Sequence, residues 1–126
     1  MSARVNERSV PGVKFPDSMI VTPSMGETFA GSDVVIVVVP SLTMRENIKF
    51  IGDAIPSGTS ILCATKGIEI DSGKRMSLVI GEELSGYDTD RIGVLSGPNL
   101  APEIAAGKVA TATVAFPSES IGESVQ

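Results

Sequence analysis

Three stretches of this chain are apolar at almost every position, and each stops at a small or polar residue. Val34–Val39 is β-branched throughout, which predicts a strand buried on both faces, as in a parallel sheet. Pro40 ends it. Ser60–Ala64 is a second such strand and runs into the turn Thr65-Lys66-Gly67. Ile92–Ser96 is a third and runs into Gly97-Pro98-Asn99. Between them the period changes from two to 3.6. Met44, Ile48, Ile51 and Ile55 predict a helix over Leu42–Ala54, with Ser41 as its N-cap. Met76, Val79, Ile80 and Leu84 share one face of a helix over Met76–Leu84, followed by a loop over Gly86–Asp90. A helix over Pro98–Ala106, with Lys108 near its end, leads to a further β-type run at Ala110–Phe116. Pro117-Ser118 then starts a last helix. Ahead of all this, residues 1–18 are expected to be irregular, punctuated by Pro11, Gly12 and Pro16. Met19–Thr22 is expected as a short strand stopped by Pro23. Ser24 caps a short helix to about Ala30, and Gly31 ends it.

Strands alternating with helices across short loops predict an α/β fold, doubly wound on a mostly parallel sheet. Right-handed crossovers bring the carboxyl ends of strands 33–39, 60–64 and 92–96 to one edge. Pro40-Ser41, Thr65-Lys66-Gly67 and Gly97-Pro98-Asn99 would then line one crevice, where ligands bind in open α/β sheets. A lysine there supplies a compact positive charge. A glycine before a helix start supplies free N–H groups. The pair suits an anionic ligand, most simply a phosphate.

Composition narrows the chemistry. The chain has 126 residues, enough for one small domain, with 42% hydrophobic and only 4% aromatic residues. The core must therefore come from Val, Ile, Leu, Ala and Met. A formal charge of −5 without any basic run argues against nucleic acid and anionic membrane as partners. The longest apolar run, Val34–Val39, is too short for membrane insertion, and Met1–Arg8 has no apolar signal region. A cytoplasmic protein is expected. There is no histidine and one cysteine, so no internal disulfide, no Cys/His zinc site and no metal are expected. Proton transfer would fall to Lys, Asp, Glu, Tyr or a substrate group. Cys63 is expected as a small buried hydrophobe.

Taken in order, these motifs resemble the bacterial type of the NAD(P)-dependent glycerol-3-phosphate dehydrogenase family. Val13–Thr22 resembles the segment leading into that family's third strand. Asp33–Ser41 resembles its apolar strand ending in VPS, Ala64–Glu69 its ATKGIE motif, and Leu95–Glu103 its LSGPxxAxE motif. The VPS element is shared by related dehydrogenases, whereas TKGIE followed by SGPNLA is specific. The resemblance implies a partial Rossmann-like domain over residues 1–126, lacking the first βαβ unit and the C-terminal helical substrate domain. The chain contains no G-x-G-x-x-G, so it resembles an internal piece of such an enzyme. The implied cofactor is NAD or NADP. The implied reaction is reversible reduction of a small phosphorylated substrate, dihydroxyacetone phosphate, to sn-glycerol 3-phosphate, in a possible homo-oligomer.

In such enzymes the motif lysine lies at substrate and nicotinamide, which implies both substrate and cofactor contact for Lys66. Gly97 and Asn99 take the substrate-contacting positions, although many members carry Ser or Thr where this chain has Asn99. Ala101 takes a cofactor-contacting position, and Pro40 and Ser41 are candidate cofactor contacts at the same edge. The family's proton-transferring lysine lies outside this chain, so no catalytic residue is assigned and the chain alone is expected to be inactive.

Each residue has a plainer role too. Lys66 could be a solvated turn lysine. Gly97 could be a turn glycine at positive φ. Asn99 is as well suited to capping a helix as to contacting substrate. Pro40 and Ser41 serve as strand stop and helix cap more readily than as cofactor contacts. Glu69 and Glu103 could orient Lys66, but a solvated or helix-dipole role is favoured. Asp71, Asp88 and Asp90 are loop residues. The competing functions are a non-catalytic truncated Rossmann fragment and another Rossmann dehydrogenase of a phosphorylated or acidic hydroxy compound.

Overall fold

The computed structural model describes residues 4–125. Its centre is a four-stranded sheet in the order β3-β4-β5-β6, formed by Val34–Val37, Ser60–Cys63, Ile92–Ser96 and Thr113–Ala115. The first three strands pair in parallel, with Val35 beside Ile61 and Ile61 beside Ile92. β6 closes the far side antiparallel, with Val94 beside Ala115. A separate antiparallel hairpin, β1 (Val5–Asn6) with β2 (Val10–Lys14), precedes the sheet. The fold is thus mixed α/β on a parallel-dominated sheet.

One face of the sheet carries the core. Val35, Val37, Ile61, Cys63 and Ile92 point at α2 (Met44–Ile51) and α3 (Met76–Glu83), and Met44, Ile48, Val79 and Ile80 are wholly buried against them. The helical spacing of these residues makes one continuous apolar stripe on each helix. Phe29 of α1 (Met25–Phe29), Ile55 and Leu84 fill its margins. Ser24 caps α1 through its hydroxyl, which accepts from Glu27 N. On the opposite face the Phe116 ring lies over Gly93. A Cβ at Gly93 would come within 2.6 Å of that ring, so glycine is required by space and not by backbone angle. Gly122 of α5 (Glu119–Val125) packs against Phe116 from outside.

Several expectations are corrected. Residues 1–18 contain the β1–β2 hairpin; Gly12, at φ 74°, provides the left-handed position within it. Met19–Thr22 forms no strand. The Arg4 guanidinium donates to the Pro16 and Met19 carbonyls, so a group that a ladder would use is already engaged, and the segment lies detached from the sheet. β3 stops at Val37 and is buried on one face only, because Ile36 and Val38 stand 59% and 69% exposed on the other. The expected helix 42–54 is an α-helix flanked by 3₁₀ turns at Ser41–Thr43 and Gly52–Ala54. Ser41 lies inside the first of these turns and makes no capping bond; the bonds there come from Thr43 to the Pro40 carbonyl. The helix expected from Pro98 is α4 (Ala101–Ala105), capped by Leu100 without a side-chain bond, so Asn99 is not its cap.

Candidate functional site

Parallel registry places the ends of β3, β4 and β5 at one edge, and the three motifs meet there. Thr65 joins the first two. Its hydroxyl donates to the Val39 carbonyl at 2.8 Å and accepts from Val39 N at 3.1 Å. Ala64 N continues the ladder to the Val37 carbonyl at 3.0 Å. The chain beyond β3, which has left the strand geometry, is therefore held against the root of the next loop by one threonine.

Lys66 joins the second motif to the third. Its ammonium donates to the Gly97 carbonyl at 2.8 Å, across 31 residues of sequence. The side chain is exposed, and the bond uses one of three donors. Two N–H groups remain for an anionic or carbonyl oxygen at the edge. Neither Glu69 nor Glu103 holds Lys66. Glu69 turns to Arg45, and Glu103 pairs with Lys108 at 3.4 Å.

Gly67 follows at φ 112°, a left-handed conformation that side chains disfavour. A Cβ there would lie 3.3 Å from the Ser41 hydroxyl, so Ser41 and the Lys66 turn are in direct apposition. Gly97 is not a positive-φ turn glycine. It is glycine because a Cβ would collide with the Thr111 carbonyl and stand 2.8 Å from the Asn99 amide nitrogen. The Asn99 Oδ1 is buried and has no hydrogen-bond partner among the described residues. A buried acceptor without a donor is costly to the fold, and a hydroxyl or amide N–H arriving at the edge would satisfy it.

The structure thus brings together Ser41, Lys66, Gly97 and Asn99. Pro40 enters as the exposed residue after Val39 and as the acceptor of the first 3₁₀ turn. Ala101 is the exposed first residue of α4. Cys63, 2% exposed, lies beneath the edge; burial pushes its thiol up, away from the reactive thiolate. The sequence reading missed the Thr65 clamp and the engagement of Glu69 by Arg45. Both join residues 24 or more positions apart, and no local pattern marks them.

A parallel-dominated α/β sheet that gathers the loops after its strands at one carboxyl edge defines a Rossmann-like fold. A family model described as the NAD-dependent glycerol-3-phosphate dehydrogenase N-terminus matches residues 1–121, and the chain belongs to that family. It is 40% identical over 121 residues to the glycerol-3-phosphate dehydrogenase [NAD(P)+] of Corynebacterium glutamicum (strain R), covering 96% of this chain and 36% of that protein. It is 45% identical over 105 residues to the protein of the same name from Dehalococcoides mccartyi (strain ATCC BAA-2100), covering 83% of this chain and 29% of that one. The crystal structure of glycerol-3-phosphate dehydrogenase from Coxiella burnetii superposes with a TM-score of 0.85 at 27% identity, over 98% of this chain and 37% of that chain. The chain therefore spans about a third of the length of these relatives.

The family's cofactor is NAD(P). At the edge, two Lys66 N–H groups are open to a carbonyl or anionic oxygen and the Asn99 Oδ1 is open to an amide or hydroxyl donor, chemistry compatible with a carboxamide or a hydroxyl. The chain contains no G-x-G-x-x-G, the loop that cradles a dinucleotide pyrophosphate. No helix among the described residues is long and apolar enough to cross a membrane.

Proposed function

We propose that this chain forms one wall of the active site of a glycerol-3-phosphate dehydrogenase, which reversibly reduces dihydroxyacetone phosphate to sn-glycerol 3-phosphate. The Lys66–Gly97 bond at 2.8 Å carries the reading, because it brings the two specific motifs together at one ligand edge. NADH or NADPH supplies the hydride when bound. Lys66 then stabilises the oxygen that gains charge as the carbonyl becomes an alkoxide, and the Gly97 carbonyl holds the ammonium in place for it. Asn99 offers its free Oδ1 to a substrate hydroxyl, and Pro40, Ser41 and Ala101 are read as cofactor contacts. Residues 1–126 are read as part of the dinucleotide-binding domain. The chain spans 36% of the Corynebacterium glutamicum relative, and the proton donor is read as lying outside that span. The protein is assigned to the cytoplasm, and its exposed sheet edge suits association with further copies of itself.

The test replaces the matched segment of the Corynebacterium glutamicum relative with residues 1–121 of this chain. We expect the chimera to oxidise NADH or NADPH on addition of dihydroxyacetone phosphate, and the 126-residue chain alone to show no turnover. A folded chimera without turnover would remove the assignment, and turnover by the chain alone would contradict the one-wall reading.

A further inference from the structure

Apart from the edge, the most highly connected polar group is Arg45 on α2. Its Nε and Nη2 hold the two Glu69 oxygens at 2.8 and 2.9 Å, its Nη2 also reaches Glu82 at 2.9 Å, and its Nη1 reaches Glu83. The Lys74 ammonium pairs with Glu82, and the Ser72 hydroxyl donates to Glu69. One guanidinium thus ties α2 to α3 and to the loop that carries Lys66.

That loop has little else to hold it. Between Thr65 and Arg75 it doubles back on itself through an Ile68–Arg75 bridge, with Glu69 N donating to the Lys74 carbonyl at 2.8 Å. Its apolar side chains gain little burial, since Ile68 and Ile70 are 60% and 75% exposed. Thr65 fixes its root on Val39. Its far part is fixed to the body by the contacts of Glu69 and Lys74 with Arg45 and Glu82. Glu69 lies three residues after Lys66, so the position of the Lys66 backbone depends on both anchors. A planar guanidinium can grip a carboxylate through two parallel bonds, and an ammonium cannot.

We propose that Arg45 is a positioning residue: through Glu69 it fixes the loop so that the Lys66 ammonium stays at the Gly97 carbonyl. Its consequence for catalysis rests on the proposed role of Lys66. The positioning itself does not. Amide hydrogen exchange of Glu69 and Gly73 in the 126-residue chain reads it, because both amides are bonded within the loop. Arg45→Met keeps the aliphatic stem and removes the clamp. We expect exchange about five- to tenfold faster at these two amides, as loss of a pair network of this exposure implies, with Ile61–Cys63 and Val79–Ile80 unchanged. Arg45→Lys should recover only part of the protection. Glu69→Gln should loosen the loop in the same way and serves if Arg45→Met does not fold. Unchanged loop exchange in the folded variants overturns the proposal, as does equal acceleration of loop and core. In a chimera whose kcat falls on Lys66→Ala, Arg45→Met should lower kcat as well, and an unchanged kcat there also overturns the proposal. An inactive unmutated chimera would count against the proposed function alone, since the exchange result still decides the positioning.

Discussion

Thr65 and Glu69 flank Lys66 and act on it in different ways. The Thr65 hydroxyl both donates to and accepts from Val39, satisfying two backbone groups that have left the ladder. Thr65→Val keeps the shape and removes both bonds. It is expected to lower stability by about 1–3 kcal/mol, measured by urea unfolding, because a part-buried N–H and C=O are left unpaired. A change within a few tenths of a kcal/mol would contradict the clamp. Glu69 is held by charge. Arg45 first, then the Ser72 hydroxyl, pull its carboxyl from 4.5 down to about 2, with Lys74 adding to the effect. A carboxylate with a depressed folded-state pKa stabilises fully above its unfolded value and loses that contribution as pH falls. Glu82 and Glu83 share the same guanidinium, and Glu82 is also held below its ordinary value, by Lys74 first and then Arg45. Loop order should therefore decline as pH falls from about 4.5 toward about 2. A carbon-13 titration of the Glu69 carboxyl with a midpoint near its ordinary value would contradict this.

At the scale of elements, the sequence pattern predicts most where a side-chain stripe faces the core. Met44 with Ile48, and Met76 with Val79 and Ile80, mark the buried faces of α2 and α3 at helical spacing. The strands Ser60–Cys63 and Ile92–Ser96 follow the expected runs to within a residue. The pattern fails where long-range contacts decide. Ile36 and Val38 are as apolar as Val35 and Val37, so the run itself carries no mark of which face stays open. The β1–β2 hairpin sets Pro11 and Gly12 between Val10 and Val13, which breaks the alternation that announces a strand. Among the candidate site residues, Lys66 and Gly97 were legible because their motifs end strands. The spatial need for Gly97 was not, since it comes from Thr111, fourteen residues later. β3 is an edge strand in the described sheet, with unpaired backbone groups beside an exposed Ile36. Such an edge favours pairing with another chain. The 126-residue chain is expected to sediment as more than a monomer, and Ile36→Lys to shift it toward the monomer. A monodisperse monomer before mutation would contradict this.

For the whole molecule, two motifs about thirty residues apart converge on one sheet edge, and the family assignment gives that convergence a purpose. The chain spans about a third of its relatives' length and carries one side of the proposed site. The central claim is that the Lys66 charge, placed by the Gly97 carbonyl, serves the reaction. Kinetics of Lys66→Ala in the chimera, with and without added methylammonium, tests it most directly. Loss of one preorganised charge at a developing oxyanion costs about 3–4 kcal/mol, so kcat should fall by about 10²–10³. Methylammonium, entering the vacated volume, should restore a measurable part of it. Lys66→Arg should restore little, because the guanidinium is broader and differently hydrated. A Lys66→Ala chimera with undiminished kcat would contradict the claim, as would a loss that added amine leaves unchanged.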